Sequence, residues 1–145
     1  AIDILPLAND YSQLGLGCVG ELENLITETE MLHYIKNKLN IQYIRHTQTT
    51  DRLGSRVALC GGSGAEFIPH AIREKAGIYI TADVKYHDFF NTENQIVIAD
   101  IGHFESEQCI KEVFYEQLSK NFINFAILMA ECDKSPVKYT YLTED

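Results

Sequence analysis

An α/β domain, with a mixed β-sheet flanked by helices, is the fold class the sequence predicts. Two observations carry it. Short apolar runs rich in Val and Ile alternate with segments of helical spacing, the pattern of a largely parallel or mixed sheet. The chain has 145 residues and 46% hydrophobic content, enough for one globular domain with a sizeable core.

The elements follow in order. Ile2, Ile4 and Leu5 form a short strand that breaks at Pro6. Asn9, Asp10, Gly15, Gly17 and Gly20 mark turns, so the strand leads into a connector with tight bends. Thr27 and Glu30 have capping-box spacing, and Leu32, Ile35 and Leu39 recur at helical spacing. A helix over Glu28–Lys38 results. "IQYIRHT" is a strand, "TTDRLGS" a turn, and "RVALC" a strand apolar on both faces. After "GGSG" a helix starts at Pro69 and runs to Lys75. Ser63 and Glu66 also fit a capping box, but that start would place Pro69 inside the helix. "GIYIT" and "QIVIAD" are strands around a loop, "ADVKYHDFFNTEN", with a short helix. "FESEQCIKEVFYEQLSKNF" is one helix, and "INFAILMA" and "SPVKYTYL" are strands.

Charge and cysteines narrow the function class. A net charge of −9 argues against non-specific nucleic-acid binding, which needs Lys and Arg at phosphates, and against an anionic membrane. No apolar run is long enough for a transmembrane helix, and no secretory leader is visible. Cys18, Cys60, Cys109 and Cys132 form no C-x-x-C pair. They read as reduced packing thiols, which favours the cytoplasm.

Ligands of such sheets bind where loops leave the carboxyl ends of strands. Three loops qualify. In "DIGHFESE", His103 and Glu107 lie four apart on the helical face continued by Ile110, Phe114 and Leu118, while Glu105 points away. An inward imidazole and carboxylate one turn apart can share a metal ion or pair with each other. Two ligands do not complete a zinc site, so the rest must come from elsewhere. The glycine turn Gly61, Gly62, Ser63, Gly64 offers backbone N–H groups to a phosphate, or simply lets the chain turn tightly. Ser63 lacks the G-x-S-x-G elbow of a nucleophile. "DVKYHD" supplies Asp83 and His87 as acid–base candidates, or is a polar loop. His33, His46 and His70 read as structural or surface groups.

Together, "GLGCVGEL", "VALCGGSGAEFIPHA", "IYITADVKYHD" and "IADIGHFESEQ", in this order, resemble the C-terminal part of the NIF-three-like (NGG-interacting factor three) family, whose members are often called GTP cyclohydrolase 1 type 2 homologs. The resemblance covers nearly the whole chain. It implies one half of a two-lobed fold, whose similar halves face each other across a cleft. It also implies two divalent metal ions in that cleft and a ring-shaped hexamer. The family's H-x-x-x-E ligand pair maps to His103 and Glu107, and the resemblance makes residues 1–26 a connector from a preceding region and 27–145 an α/β metal-binding lobe. The family's His-His pair, carried by the N-terminal half, has no match here, so this chain reads as a C-terminal part with half a metal site, inactive on its own.

Two functions follow. In a metal-dependent hydrolase, His103 and Glu107 hold metal, His87 or Asp83 assists protons, and the glycine turn takes a phosphate of a small-molecule or nucleotide substrate. In a binding or scaffolding protein the metals are structural or regulatory. Imidazole and carboxylate ligands suit zinc, manganese or iron.

Overall fold

A computed structural model describes residues 2–5, 15–92, 94–132 and 134–140, with the backbone alone for 2–5 and Asn91. The chain divides into two compact units, 1–107 and 108–145.

The first unit is built on a six-stranded mixed sheet. Its strands are β1 (Ile2–Leu5), β2 (Gly17–Thr27), β3 (Arg45–His46), β4 (Leu53–Ser63), β5 (Ile78–Ala82) and β6 (Val97–Asp100), in the order β1-β2-β4-β5-β6-β3. β4, β5 and β6 run parallel, and β1, β2 and β3 attach antiparallel at the two sides. The parallel centre is covered on both faces, as such sheets require. Alternate residues therefore enter different cores. Tyr79 and Ile98 join Ala58, Cys60, Ile68 and Ala71 on the face covered by α2 (Ile68–Arg73). Ile78, Val97 and Ala99 join Met31, Leu32 and Ile35 of α1 (Glu28–Leu39) on the other.

The helix starts follow from local chemistry. Thr27 accepts a hydrogen bond from the Glu30 amide at 3.2 Å, while the Glu30 carboxylate accepts from the Thr27 amide at 2.8 Å. This is the predicted capping box. Asn40 closes α1 in the left-handed region, at φ 51°. Pro69 lies in the first turn of α2, where a missing amide costs no helical bond.

Several sequence expectations need correction. Residues 17–27 are no connector. They form β2, with Val19 buried and a register shift between Glu21 and Ile26. Its glycines were misleading because glycine also serves strands that bend or approach a neighbour closely. Residues 6–14 lie outside the described residues. β3 keeps only two residues of "IQYIRHT", although Ile41 and Ile44 still pack into the core. β4 extends through Ser63 and absorbs most of the glycine turn.

The helix expected over 104–122 is two helices, α3 (His103–Glu107) and α4 (Ile110–Asn121), with a turn at Gln108–Cys109. The Ser106 hydroxyl donates to the His103 carbonyl at 2.8 Å, a back-bond that competes with the helical ladder. In the second unit no strand follows α4 among the described residues, so the expected strands at 123–130 and 135–142 are absent as far as residue 140. A strand needs a partner for its amides and carbonyls, and the described residues of this unit offer none. Phe122 and Phe125 instead meet edge to face, with ring centroids 6.3 Å apart.

Candidate functional site

Three adjacent parallel strands end at one place. β4 ends at Ser63, β5 at Ala82, and β6 at Asp100. Asp83 follows β5 in the left-handed region at φ 54°, which Asp tolerates better than most residues. Gly102 follows β6 at φ 89° and releases the chain into α3, whose first residue is His103.

These ends bring four side chains into one chain of contacts. The Ser63 hydroxyl donates to Asp83 Oδ2 at 2.6 Å. The same Oδ2 lies 2.6 Å from His103 Nδ1. The other ring nitrogen, Nε2, faces Glu107 Oε2 at 3.2 Å. The Ser63 hydroxyl, followed by the His103 ring, holds the Asp83 carboxyl below its usual range. The hydrogen bond to Asp83 pushes the His103 imidazole above its ordinary value, and the charges of Asp83 and Glu107 push the same way.

The frame around these groups is polar and well paired. Asp100, only 4% exposed, accepts from the Val84 and Gly102 amides at 3.0 and 3.1 Å and pairs with Arg45 at 3.3 Å. Arg45 also donates to the Val84 carbonyl at 2.9 Å. Asp100 thus ties the residue after Asp83 to the residue before His103. Thr81 donates to the Gly62 carbonyl at 3.2 Å, and the buried Tyr79 donates to the Gly64 carbonyl at 2.8 Å. Burial pushes the Tyr79 phenol well up, so it stays a donor.

Gly62 has no room for a side chain. At φ 64°, a Cβ would lie 2.5 Å from Glu107 Oε1 and 3.5 Å from His103 Cε1. Its amide donates to Ser106 Oγ at 2.9 Å. The glycine turn therefore acts as a close floor beneath His103 and Glu107, and the Gly62 amide is already engaged.

The structure brings together His103, Glu107, Asp83, Gly62 and Ser63, and leaves His87 apart. His87 is exposed, its ring edge to face with Tyr86 at 5.5 Å, and it enters none of the site's hydrogen bonds. Ser63 bonds to the carboxylate rather than to an imidazole nitrogen, so it forms no Ser–His dyad. Its capping role before α2 is likewise absent. His103 and Glu107 are each 52% exposed rather than buried, and Ile110, Phe114 and Leu118 are exposed too. The buried stripe inferred from the helical pattern is thus corrected. The Glu105 carboxylate lies against Gly102. The supporting pair Asp100–Arg45 went unrecognised in the sequence, as did Tyr79 and Thr81. The one available signal was a hydroxyl at alternate positions of "IYITA", aimed at the face of the glycine turn.

Among the described residues no three His, Cys, Asp or Glu side chains form a group able to hold a metal ion. His103 Nε2 and Glu107 Oε2 nevertheless fit as two donors of one ion. Bonds of about 2.1 Å place neighbouring ligands roughly 3.0–3.4 Å apart, and these atoms are 3.2 Å apart. An imidazole whose Nδ1 is held by a carboxylate is also the usual form of a metal-ligating histidine.

The profile of the Duf34/NIF3 (NGG1p interacting factor 3) family matches residues 2–136. The chain belongs to that family. Among its curated relatives, a GTP cyclohydrolase 1 type 2 homolog of Staphylococcus epidermidis is 34% identical over 135 residues, 90% of this chain and 37% of that protein. The protein of the same name in Bacillus subtilis is 32% identical over 98% of this chain and 39% of its own length. This NIF3-family chain thus spans well under half the length of those relatives. Among solved structures, Staphylococcus aureus protein SA1388 superposes with a TM-score of 0.77 at 26% identity, covering 89% of this chain and 43% of that one. A Bacillus cereus protein related to NIF3 superposes with a TM-score of 0.75 at 26% identity, covering 93% and 38%. The NIF3-type α/β fold with a mixed sheet stands on these likenesses. No described helix is long and apolar enough to cross a membrane.

Proposed function

We propose that His103 and Glu107 supply two ligands of a divalent metal ion, and that the longer protein to which this lobe corresponds is a metal-dependent hydrolase. One observation carries this reading. A ring nitrogen and a carboxylate oxygen face each other at 3.2 Å, while the opposite ring nitrogen is held by Asp83 at 2.6 Å. When Nδ1 carries the ring's proton, the Nε2 lone pair and the Glu107 carboxylate repel unless a cation lies between them. A proton or a metal ion meets that need.

The residues then have distinct roles. His103 and Glu107 bind, Asp83 holds the ring, Ser63 holds Asp83, and Gly62 leaves space for the pair. When bound, such an ion lowers the pKa of a water and polarises a substrate oxygen. Its remaining ligands lie outside this set of residues. Zinc, manganese and iron all suit the donors, and two such ions per intact protein remain part of the proposal. The name GTP cyclohydrolase 1 type 2 homolog, carried by the relatives, supports a small-molecule or nucleotide substrate. His87 stays a candidate for proton transfer only if its loop moves, and the glycine turn a candidate for phosphate only through amides other than that of Gly62.

A second reading, a metal-binding scaffold, is favoured by the apolar side chains exposed over 110–139, among them Phe114, Phe125 and Leu128. Such patches mark interaction surfaces, and they fit a homo-oligomer such as the hexameric ring.

Metal titration of the intact protein by calorimetry tests the ligand assignment. Glu107→Gln should weaken binding at least ten-fold and Glu105→Gln should not, because only the first removes a donor facing Nε2. Equal losses count against the assignment. Hydrolysis of nucleotide substrates by the metal-loaded intact protein separates enzyme from scaffold.

A further inference from the structure

We infer that Asp83, braced by Ser63, is the positioning residue that fixes the tautomer of His103, keeping the ring's proton on Nδ1 and the Nε2 lone pair toward Glu107. The inference rests on the reading of His103 and Glu107 as ligands and deepens it.

A neutral imidazole has one proton and two nitrogens. Here each nitrogen faces a carboxylate, so two acceptors compete for that proton. The Asp83 contact is the shorter, 2.6 Å against 3.2 Å. Charge-assisted bonds strengthen as they shorten, so the proton sits on Nδ1. Were it on Nε2, the N–H would point where an ion must sit, and the ring could not ligate.

Asp83 is itself held. Its backbone lies in the left-handed region, and the Val84 amide beside it is bound to the buried Asp100 at 3.0 Å. Ser63 donates to the same oxygen that meets His103. That hydroxyl fixes Oδ2 in place, and it leaves the imidazole as the second donor Oδ2 receives. A serine that sequence reading weighed as a nucleophile or an anion-binding residue thereby acquires a third role, two contacts removed from any ion.

Long-range nitrogen-15 correlation spectra of the ¹⁵N-histidine-labelled intact protein read the tautomer directly, at a pH where the ring is neutral. The His103 signals are then followed as Zn²⁺ is added. Wild type should show the Nδ1–H form, with Nε2 shifting on addition. Asp83→Gly suits the left-handed backbone and removes the carboxylate. It should move the ring to the Nε2–H form, donating to Glu107, and weaken Zn²⁺ binding by about 10- to 100-fold, the usual cost of losing an outer-shell partner. Ser63→Ala should keep the tautomer and weaken binding less. Asp88→Asn, at an acid outside the site, should change neither.

Wild type with its proton on Nε2 overturns the inference. So does an Asp83→Gly protein that keeps the Nδ1–H form or binds Zn²⁺ as tightly as wild type. Should Asp83→Gly fail to fold, the wild-type tautomer still decides. An intact protein with the Nδ1–H form that takes up no Zn²⁺ sinks the ligand reading instead, while the tautomer assignment survives.

Discussion

Gly62→Ala separates the fold from the site more sharply than any other single change. Two effects act on the new side chain. At φ 64° an L-residue pays roughly 1–2 kcal/mol for the left-handed conformation. The added Cβ also lies 2.5 Å from Glu107 Oε1, closer than real contacts allow. That oxygen is the far end of a flexible, half-exposed side chain, so Glu107 swings aside and the backbone holds. The stability loss should therefore stay near the backbone cost of about 1–2 kcal/mol, a fall in Tm of roughly 2–8 °C for a domain of this size. The loss at the site should be larger, because Glu107 leaves His103. Gly54→Ala is the control, since a Cβ there meets nothing within 4 Å. Denaturant unfolding of both variants, and metal calorimetry on the intact protein carrying each, test the reasoning. If Gly62→Ala matches Gly54→Ala in stability and wild type in metal affinity, then Glu107 is not where the structure places it.

Further outcomes follow from the same contacts. The His103 ring should titrate above the ordinary imidazole value, because the Asp83 bond favours the charged form. A group raised in the folded state stabilises it fully below the unfolded value, and that contribution fades as pH rises through the folded value. Stability should thus decline through that window in wild type and less so in Asp83→Gly; an NMR midpoint at or below the free imidazole value refutes the contact. Thr27→Ala should cost about 1 kcal/mol in denaturant unfolding, by removing the hydroxyl that accepts the Glu30 amide; an unchanged midpoint argues against the capping box. A thiol reagent should modify the exposed Cys109 and Cys132 well before Cys60, whose thiol burial pushes up. Equal rates at all three, read by mass spectrometry, contradict the burial of Cys60.

Some of the fold was legible because its signals are local. The capping box of Thr27 and Glu30 acts within one turn, and Pro69 fixes its own backbone, so α1 and α2 appear within a residue or two of their predicted limits. β5 and β6 are short apolar runs bounded by polar ones and were equally plain. What failed depends on partners. "INFAILMA" has strand composition, but no neighbour among the described residues of its own unit pairs with it. The glycines before Glu21 look like turns until β4 lies beside them and Val19 is buried.

The site divides along the same line. His103 and Glu107 converge because they are one helical turn apart, and α3 alone is enough for that. The continuous helix and buried stripe from which the pair was first inferred proved unnecessary. The Ser63–Asp83–His103 part has no such local signature, for each contact spans 20 residues. It follows from register. Ser63 pairs with Ala82, so Asp83 begins one residue past the end of β4. Thr81 pairs with Asp100, so Asp83 and Gly102 each stand two residues beyond a matched pair, and His103 comes next. β4, β5 and β6 are adjacent and parallel, and a register shift between Leu59 and Ser63 brings Ser63 level with Ala82, so these three side chains meet. Strand order and register were the missing quantities, and an alternating run of apolar residues does not encode them. With "GIYIT" and "QIVIAD" side by side and Thr81 level with Asp100, Asp83 and His103 leave neighbouring strands at the same height and become partners.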